Sequence, residues 1–292
     1  MKILLTGSGG QLGHELQRSL APLGELVACN RVHLDLADTD AVRAMVRNEK
    51  PDVIVNAAAW TAVDQAEAHE ADAIKINAEA PRVLAEEAEL IDARLIHFST
   101  DYVFDGNKPA PYVEADVCTP LSVYGRSKRE GELNILASQT NTASKAVILR
   151  TSWVYGAHGA NFMKTMLRLA NERDEISVVD DQFGAPTWTR HLADATALLI
   201  TSHPNISGIY HLTAAGETSW YEYAETIFAE ALRLGLIKKI PLQRRVASTN
   251  WPTPAKRPNN SRLDCSALAR DTGITLPDWR SGLFACLAAM QS

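Results

Sequence analysis

Residues 6–13 read TGSGGQLG. The apolar run KILL precedes them and HELQRSLAPLG follows. Gly7, Gly10 and Gly13 fall at every third position, a GxxGxxG spacing. The stricter GxGxxG fails, because Gly7 and Gly9 would then require a glycine where Leu12 stands. Glycine at this density costs backbone entropy on folding, so the turn must need it. Gly7 permits a tight turn after a strand. Gly10 lets backbone approach a pyrophosphate, and Gly13 lets a helix pack closely on a sheet. A helix starting here offers free N–H groups and a partial positive charge to phosphate. A lone glycine-rich turn also suits a purely structural role, so its surroundings decide.

Those surroundings alternate. KILLT (2–6), ELVACN (25–30), DVIVNAAA (52–59), RLIHFST (94–100) and part of KAVILRTSWVYG (145–156) read as short strands, apolar on both faces. Leu12, Leu16, Leu20 and Leu23 recur at helical spacing after the first. Asp38, Thr39 or Asp40 can cap a helix over AVRAMVRNE that stops before Pro51. Residues 70–90 are rich in Ala and Glu and read as helix, as does the stretch around 122–138. The pattern predicts an α/β chain: a Rossmann-type doubly wound parallel sheet with a smaller C-terminal α/β substrate lobe. We place the dinucleotide-binding domain at 1–156 and the substrate lobe mainly at 157–292, with part of the chain returning to the first domain.

Composition narrows the function. The 292 residues are 46% hydrophobic and 22% charged, with a formal charge of -6. That balance argues against nucleic acid as a partner. No apolar run is long enough to span a membrane, and no charged region followed by a long apolar segment reads as a secretory signal. Cys29, Cys118, Cys265 and Cys286 are scattered, without a CxxC pair. This suits a reducing, cytoplasmic setting and no zinc cluster.

The end of the second strand bears on the choice of dinucleotide. An acid there would bind the ribose 2′-hydroxyl and select NAD. Here the strand ends Cys29-Asn30-Arg31. Arg31 can pair with a 2′-phosphate, which leans toward NADPH and leaves NADH open; a solvated surface arginine is the competing reading. Asp35 and Leu36 come within reach of the adenine. Ala57, Ala58 and Ala59 end the third strand with small side chains, suited either to a cofactor crossing the sheet or to tight helix packing.

The chemistry lies further on. Tyr124 and Lys128, in VYGRSK, stand four apart and share one helical face. Thr100 ends the fourth strand and can hydrogen-bond a reacting oxygen or the tyrosine. A free phenol, with a pKa of about 10, exchanges its proton poorly near neutrality. A neighbouring ammonium and a cationic nicotinamide would lower that value.

With STDYVFDG, PLSVYGRSK, LRTSWVYG, DDQFGAPT and RPNNSRLD in that order, the chain resembles the extended short-chain dehydrogenase/reductases, and among them the dTDP-4-dehydrorhamnose reductase family. These segments and the glycine turn together span residues 6–264. The resemblance implies reduction of the C4 ketone of dTDP-4-dehydro-β-L-rhamnose to dTDP-β-L-rhamnose, a nucleotide sugar for cell-surface polysaccharide. It implies Tyr124 as proton donor, Lys128 on the nicotinamide ribose and Thr100 tuning the tyrosine. Gly10, Gln11 and Leu12 would carry the pyrophosphate, with Ala59, Trp60 and Thr61 along the cofactor. Thr100, Asp101, Trp153, Arg257 and Asn259 would contact the nucleotide sugar.

Some members of the family are dimers bridged by Mg2+. Glu15 could supply one ligand, but Arg190 and His191 stand where an acid would be wanted. We therefore expect no metal bridge, and a monomer or a weak, differently built homodimer. A related epimerase or dehydratase, or a non-catalytic NADP-binding regulatory subunit, remains a rival on this reading. A dehydratase, however, usually carries an acid pair after the hydroxyl residue, where this chain has Asp101-Tyr102.

Overall fold

The computed structural model describes residues 1–138 and 145–291. In the first half β1 (Lys2–Thr6), α1 (Gln11–Leu20), β2 (Glu25–Cys29), α2 (Thr39–Glu49), β3 (Val53–Asn56), α3 (Ala80–Leu90), β4 (Arg94–Thr100), α4 (Val123–Ala137) and β5 (Val147–Thr151) alternate. Then come α5 (Phe162–Glu172), β6 (Glu175–Val179), α6 (Thr189–Ser202), β7 (Gly208–His211), α7 (Trp220–Arg233), β8 (Leu242–Val246) and α8 (Trp279–Ala289), with shorter pieces between them.

Six strands form one parallel sheet in the order β7-β5-β4-β3-β1-β2. The order reverses between β1 and β3, and a crevice opens there at the carboxyl ends of the strands. Side chains of the parallel strands are buried on both faces, which explains their apolar runs. Ile3, Leu5, Ile96 and Leu149 pack with Leu16 of α1 and Leu192 and Leu199 of α6 on one side. Leu4, Ile54, Leu95 and Ile148 pack with Val42 of α2, Leu84 of α3 and Ile135 of α4 on the other. A separate core joins Leu167 of α5, Phe228 of α7 and Trp279 and Leu283 of α8. The chain re-enters the sheet at β7, which pairs with β5, and α6 lies on α1, where Ser19 donates to the Ala193 carbonyl at 3.0 Å. Among the described residues no helix is long and apolar enough to cross a membrane, and all four cysteines are free.

One expectation shifts. The third strand stops at Asn56, not at residue 59, because its partner β1 ends at Thr6. Asn56 Oδ1 then accepts from Ala58 N at 3.2 Å and turns the alanines out of the sheet. The stretch 70–90 is helical throughout, as read, but its ladder widens midway: Glu70–Ile74 leads into a π-type turn, Lys75–Glu79, before α3. Pro81 has no N–H to give the Asn77 carbonyl, so the regular ladder cannot close there. Asp38 caps α2 as anticipated, accepting from Ala41 N at 3.0 Å.

Candidate active site

The chain turns at Gly7, where φ is 73°. A methyl group on Gly7 would lie 2.6 Å from the Ala58 nitrogen, and one on Gly13 would overlap the Gly7 carbonyl. The turn is thus wedged between α1 and the segment after β3. The helix α1 begins at Gly10 with no side-chain cap and no acid in its first turn. Its first N–H groups are left for an anion, as a pyrophosphate would require.

A cavity of about 1100 Å³ runs along the carboxyl edge of the sheet. Gly7, Gly10, Gln11 and Leu12 line it from the first turn, and Asn30, Arg31, Asp35 and Leu36 from the end of β2. Ala57, Ala58, Ala59, Trp60 and Thr61 follow β3, and Thr100 and Asp101 follow β4. Tyr124 and Lys128 enter from α4, and Trp153 from beyond β5. Small-molecule sites span roughly 300–1,000 Å³, so this one stands at the upper end of that range and suits a large, extended ligand. Thr151 and Ser152 also line it, their hydroxyls buried and without a hydrogen-bond partner among the described residues. The glycine cradle, the uncapped helix start and these orphaned hydroxyls fit a dinucleotide with a polar substrate beside it.

The outer end is open. Arg31 is exposed and lies 3.6 Å from Asp35, while Asn30 Oδ1 accepts from Val32 N and His33 N. The inner end is closed. Ser122 caps α4 by accepting from Gly125 N at 3.1 Å, and Glu67 accepts from Val123 N at 2.8 Å. Gly131 seats this helix on the π-type turn, where a methyl group would overlap the Asn77 carbonyl. Tyr124 is buried, which pushes its phenol up to about 12, while the Thr100 hydroxyl acts in the opposite direction. The chain alone therefore does not lower this pKa as expected: burial outweighs the Thr100 hydrogen bond. Lys128 is brought down from 10.5 to about 8 by burial, against the Glu132 carboxylate. Asp101 is raised to about 7, again mainly by burial, and accepts from Thr100 Oγ1 at 3.1 Å. Ser99 points away, donating to Glu132 at 2.6 Å within a buried group that includes Arg150.

Trp153 has φ 48°, uncommon for a tryptophan. It is held by a stack on Trp220 with ring centroids 3.6 Å apart, and Thr187 N donates to its carbonyl at 3.1 Å. Gly184, from DDQFGAPT, lies against the indole. Arg257 and Asn259 do not line the cavity. Arg257 pairs with Asp64 at 2.7 Å, and the Asn259 carbonyl accepts from Phe183 N at 2.8 Å. Glu15 lies apart from the cavity, bound by Arg190 at 3.0 Å and Arg18 at 3.2 Å. Two guanidinium groups thus meet the carboxylate considered above as a metal ligand, and among the described residues no cluster of three or more His, Cys, Asp or Glu could hold a metal.

Several contributors were not read from the sequence. Asn77 accepts from Trp60 N at 2.8 Å and donates to Ser127 Oγ at 3.0 Å, joining the cofactor wall to α4. Trp220 and Phe162 extend the aromatic wall. Asn161 donates to Gln11 Oε1 at 2.8 Å across 150 positions. Only Pro81, eleven residues after the start of the helical stretch 70–90, hinted at the turn that carries Asn77.

A family profile described as "RmlD substrate binding domain" matches residues 1–292. The chain belongs to this family. It is 46% identical over 291 residues to dTDP-4-dehydrorhamnose reductase of Escherichia coli (strain K12), covering 97% of this chain and 96% of that one. The solved dTDP-4-dehydrorhamnose reductase of Clostridium acetobutylicum superposes with TM-score 0.92 at 38% identity, covering 100% of both chains. That of Bacillus anthracis, in complex with NADP, superposes with TM-score 0.91 at 36% identity, covering 99% of both. Membership in the RmlD family agrees with the doubly wound fold and the order of motifs.

Proposed function

We propose that the protein reduces the C4 ketone of dTDP-4-dehydro-β-L-rhamnose to dTDP-β-L-rhamnose with NADPH. The observation that carries this reading is the buried meeting of Tyr124, Lys128 and Thr100 at the end of a cavity that starts on the glycine turn. The first turn of α1 would hold the pyrophosphate, and Ala57–Thr61 would flank the cofactor. Arg31 would meet the 2′-phosphate, and Lys128 the nicotinamide ribose. When bound, the reduced nicotinamide supplies a hydride to the ketone carbon. Tyr124 keeps its proton through the neutral range because burial holds its pKa high. It gives that proton to the ketone oxygen as it becomes an alkoxide, a far stronger base than phenolate. Thr100 orients the same oxygen. Asp101 borders the sugar, and the Trp153–Trp220 stack offers an apolar face to a deoxyhexose. Arg257 and Asn259, outside the cavity wall, would act at the nucleotide end of the substrate.

In this reading residues 1–156 with β7 form the cofactor domain, and most of 157–291 the substrate lobe. The pairing of Glu15 with Arg190 supports a monomer, or a homodimer built without bridging Mg2+. The protein works in the cytoplasm, where NADPH and nucleotide sugars are made. Incubation with the keto sugar and NADPH should give one NADP per dTDP-L-rhamnose formed. A folded protein that binds NADP but leaves this sugar unreduced would overturn the reading.

A further inference from the structure

His97 lies on β4, is fully buried, and has no part in the chemistry above. It is the third member of a buried chain that begins at Thr6. Thr6 Oγ1 donates to Asn56 Oδ1 at 2.7 Å, and Ala58 N donates to the same oxygen at 3.2 Å. A backbone N–H can only donate, so the amide orientation of Asn56 is fixed. Its Nδ2 therefore faces His97 Nδ1 as a donor, at 3.0 Å. That nitrogen must carry a lone pair, which places the imidazole proton on Nε2. Nε2 in turn faces Lys128 Nζ at 3.1 Å, while Nζ donates to the Phe98 carbonyl at 2.6 Å.

An ammonium has three donors and no acceptor, so it opposes an Nε2–H. A neutral amine accepts from Nε2–H and still donates to Phe98. We propose that His97 is a positioning residue for Lys128: locked by Asn56 as the Nε2–H tautomer, it opposes the ammonium and favours the free amine, so that Lys128 charges less readily until the cofactor ribose draws it into the cavity. His97 thereby sets when Lys128 becomes charged. It is an anchor rather than a proton relay, because the chain ends on an amide and on the buried hydroxyl of Thr6. The titratable groups around the lysine are Tyr124 and Glu132 on its own helix, with His97 and Asp101 from β4 and its end. Glu132 is already engaged by Arg150, Arg129 and Ser99. Burial disfavours a charge on His97 as well as on Lys128.

Long-range nitrogen-15 NMR of the ligand-free protein tests the lock without turnover, and so separately from the reductase reading. The expected His97 signals are a protonated Nε2 and a bare Nδ1, unchanged through the acid range where free imidazole titrates. A protonated Nδ1, or an imidazolium, would overturn the proposal. The second arm rests on the reductase reading. In Asn56→Asp a carboxylate accepts from Nδ1–H, the proton leaves Nε2, and Nε2 can accept from an ammonium. The alkaline limb of kcat/KM, which reports the free enzyme, should then move upward by about one pH unit, a tenfold easier protonation of Lys128. His97→Gln, whose amide oxygen can also face the ammonium, should move the limb the same way and covers a failure of the first variant to fold. A limb that stays in place in a folded variant would overturn the coupling of His97 to Lys128.

Discussion

The two ends of the cavity are built by different physics. At the inner end Tyr124, Lys128, His97 and Asp101 are buried, and each has its proton affinity moved by burial first. At the outer end Arg31 and Asp35 form an exposed pair at 3.6 Å, with side chains 76% and 44% exposed. Water screens the outer pair, so its geometry is soft and its energy small. The inner groups have little water to replace a lost partner, so each position is fixed by the others. On the proposed reading, proton transfer sits where geometry is rigid, and the choice between NADPH and NADH sits where single substitutions change least.

The sharpest way to break this contrast is Tyr124→Phe. Loss of a positioned proton donor should lower kcat by roughly 10²–10⁴-fold. Titration of NADPH into the same variant should give a nearly unchanged Kd. Turnover at the parent rate would remove Tyr124 from the chemistry and with it the claim that the inner end is the catalytic one.

Lys128→Met comes next and should act in opposite directions on stability and activity. Folding lowers the lysine pKa from 10.5 to about 8, so the folded state disfavours its charge. The group's stabilising contribution is complete above the unfolded pKa, is lost as the pH falls toward about 8, and leaves a constant deficit below it. Removing the charge should therefore raise the stability of the ligand-free protein near pH 7 by on the order of 2–3 kcal/mol. Denaturant melts would show it, with the gain shrinking above pH 8. A variant less stable than the parent at neutral pH would mean the buried ammonium is not strained, while activity should fall in either case.

Gly131→Ala probes the seat beneath the inner end. One methyl against the Asn77 carbonyl should destabilise by about 1–3 kcal/mol, read as a lower Tm. A neutral effect would show that the π-type turn yields easily and does not set the position of α4.

The smallest effect belongs to the outer end. Arg31→Ala should weaken NADPH binding by about fivefold, the scale of one exposed charge pair, and leave NADH binding nearly as it was. Equal weakening of both cofactors would show that Arg31 does not read the 2′-phosphate.

The same contrast explains what could be read in the chain. The glycine turn, the order of strands and the Tyr124–Lys128 spacing are local patterns, and each kept its place in three dimensions. β3 ends at Asn56, three residues early, because its partner β1 ends at Thr6, and the Asn56 side chain then accepts from Ala58 N. The link from Thr6 through Asn56 and His97 to Lys128 joins four elements across 122 positions, and no periodicity records it. Trp153 was placed near the sugar by resemblance, but its left-handed backbone and its partner Trp220 belong to tertiary packing. Arg257 is expected at the nucleotide sugar by resemblance, and the pairing of its guanidinium with Asp64 is a tertiary contact that the sequence does not record.

The most direct test of the whole account follows the hydride. NADPH deuterated at the transferring position of the nicotinamide should place one deuterium on C4 of dTDP-L-rhamnose, with one cofactor oxidised per sugar. Deuterium at another carbon, or sugar conversion without net oxidation of the cofactor, would contradict it and point to an epimerase.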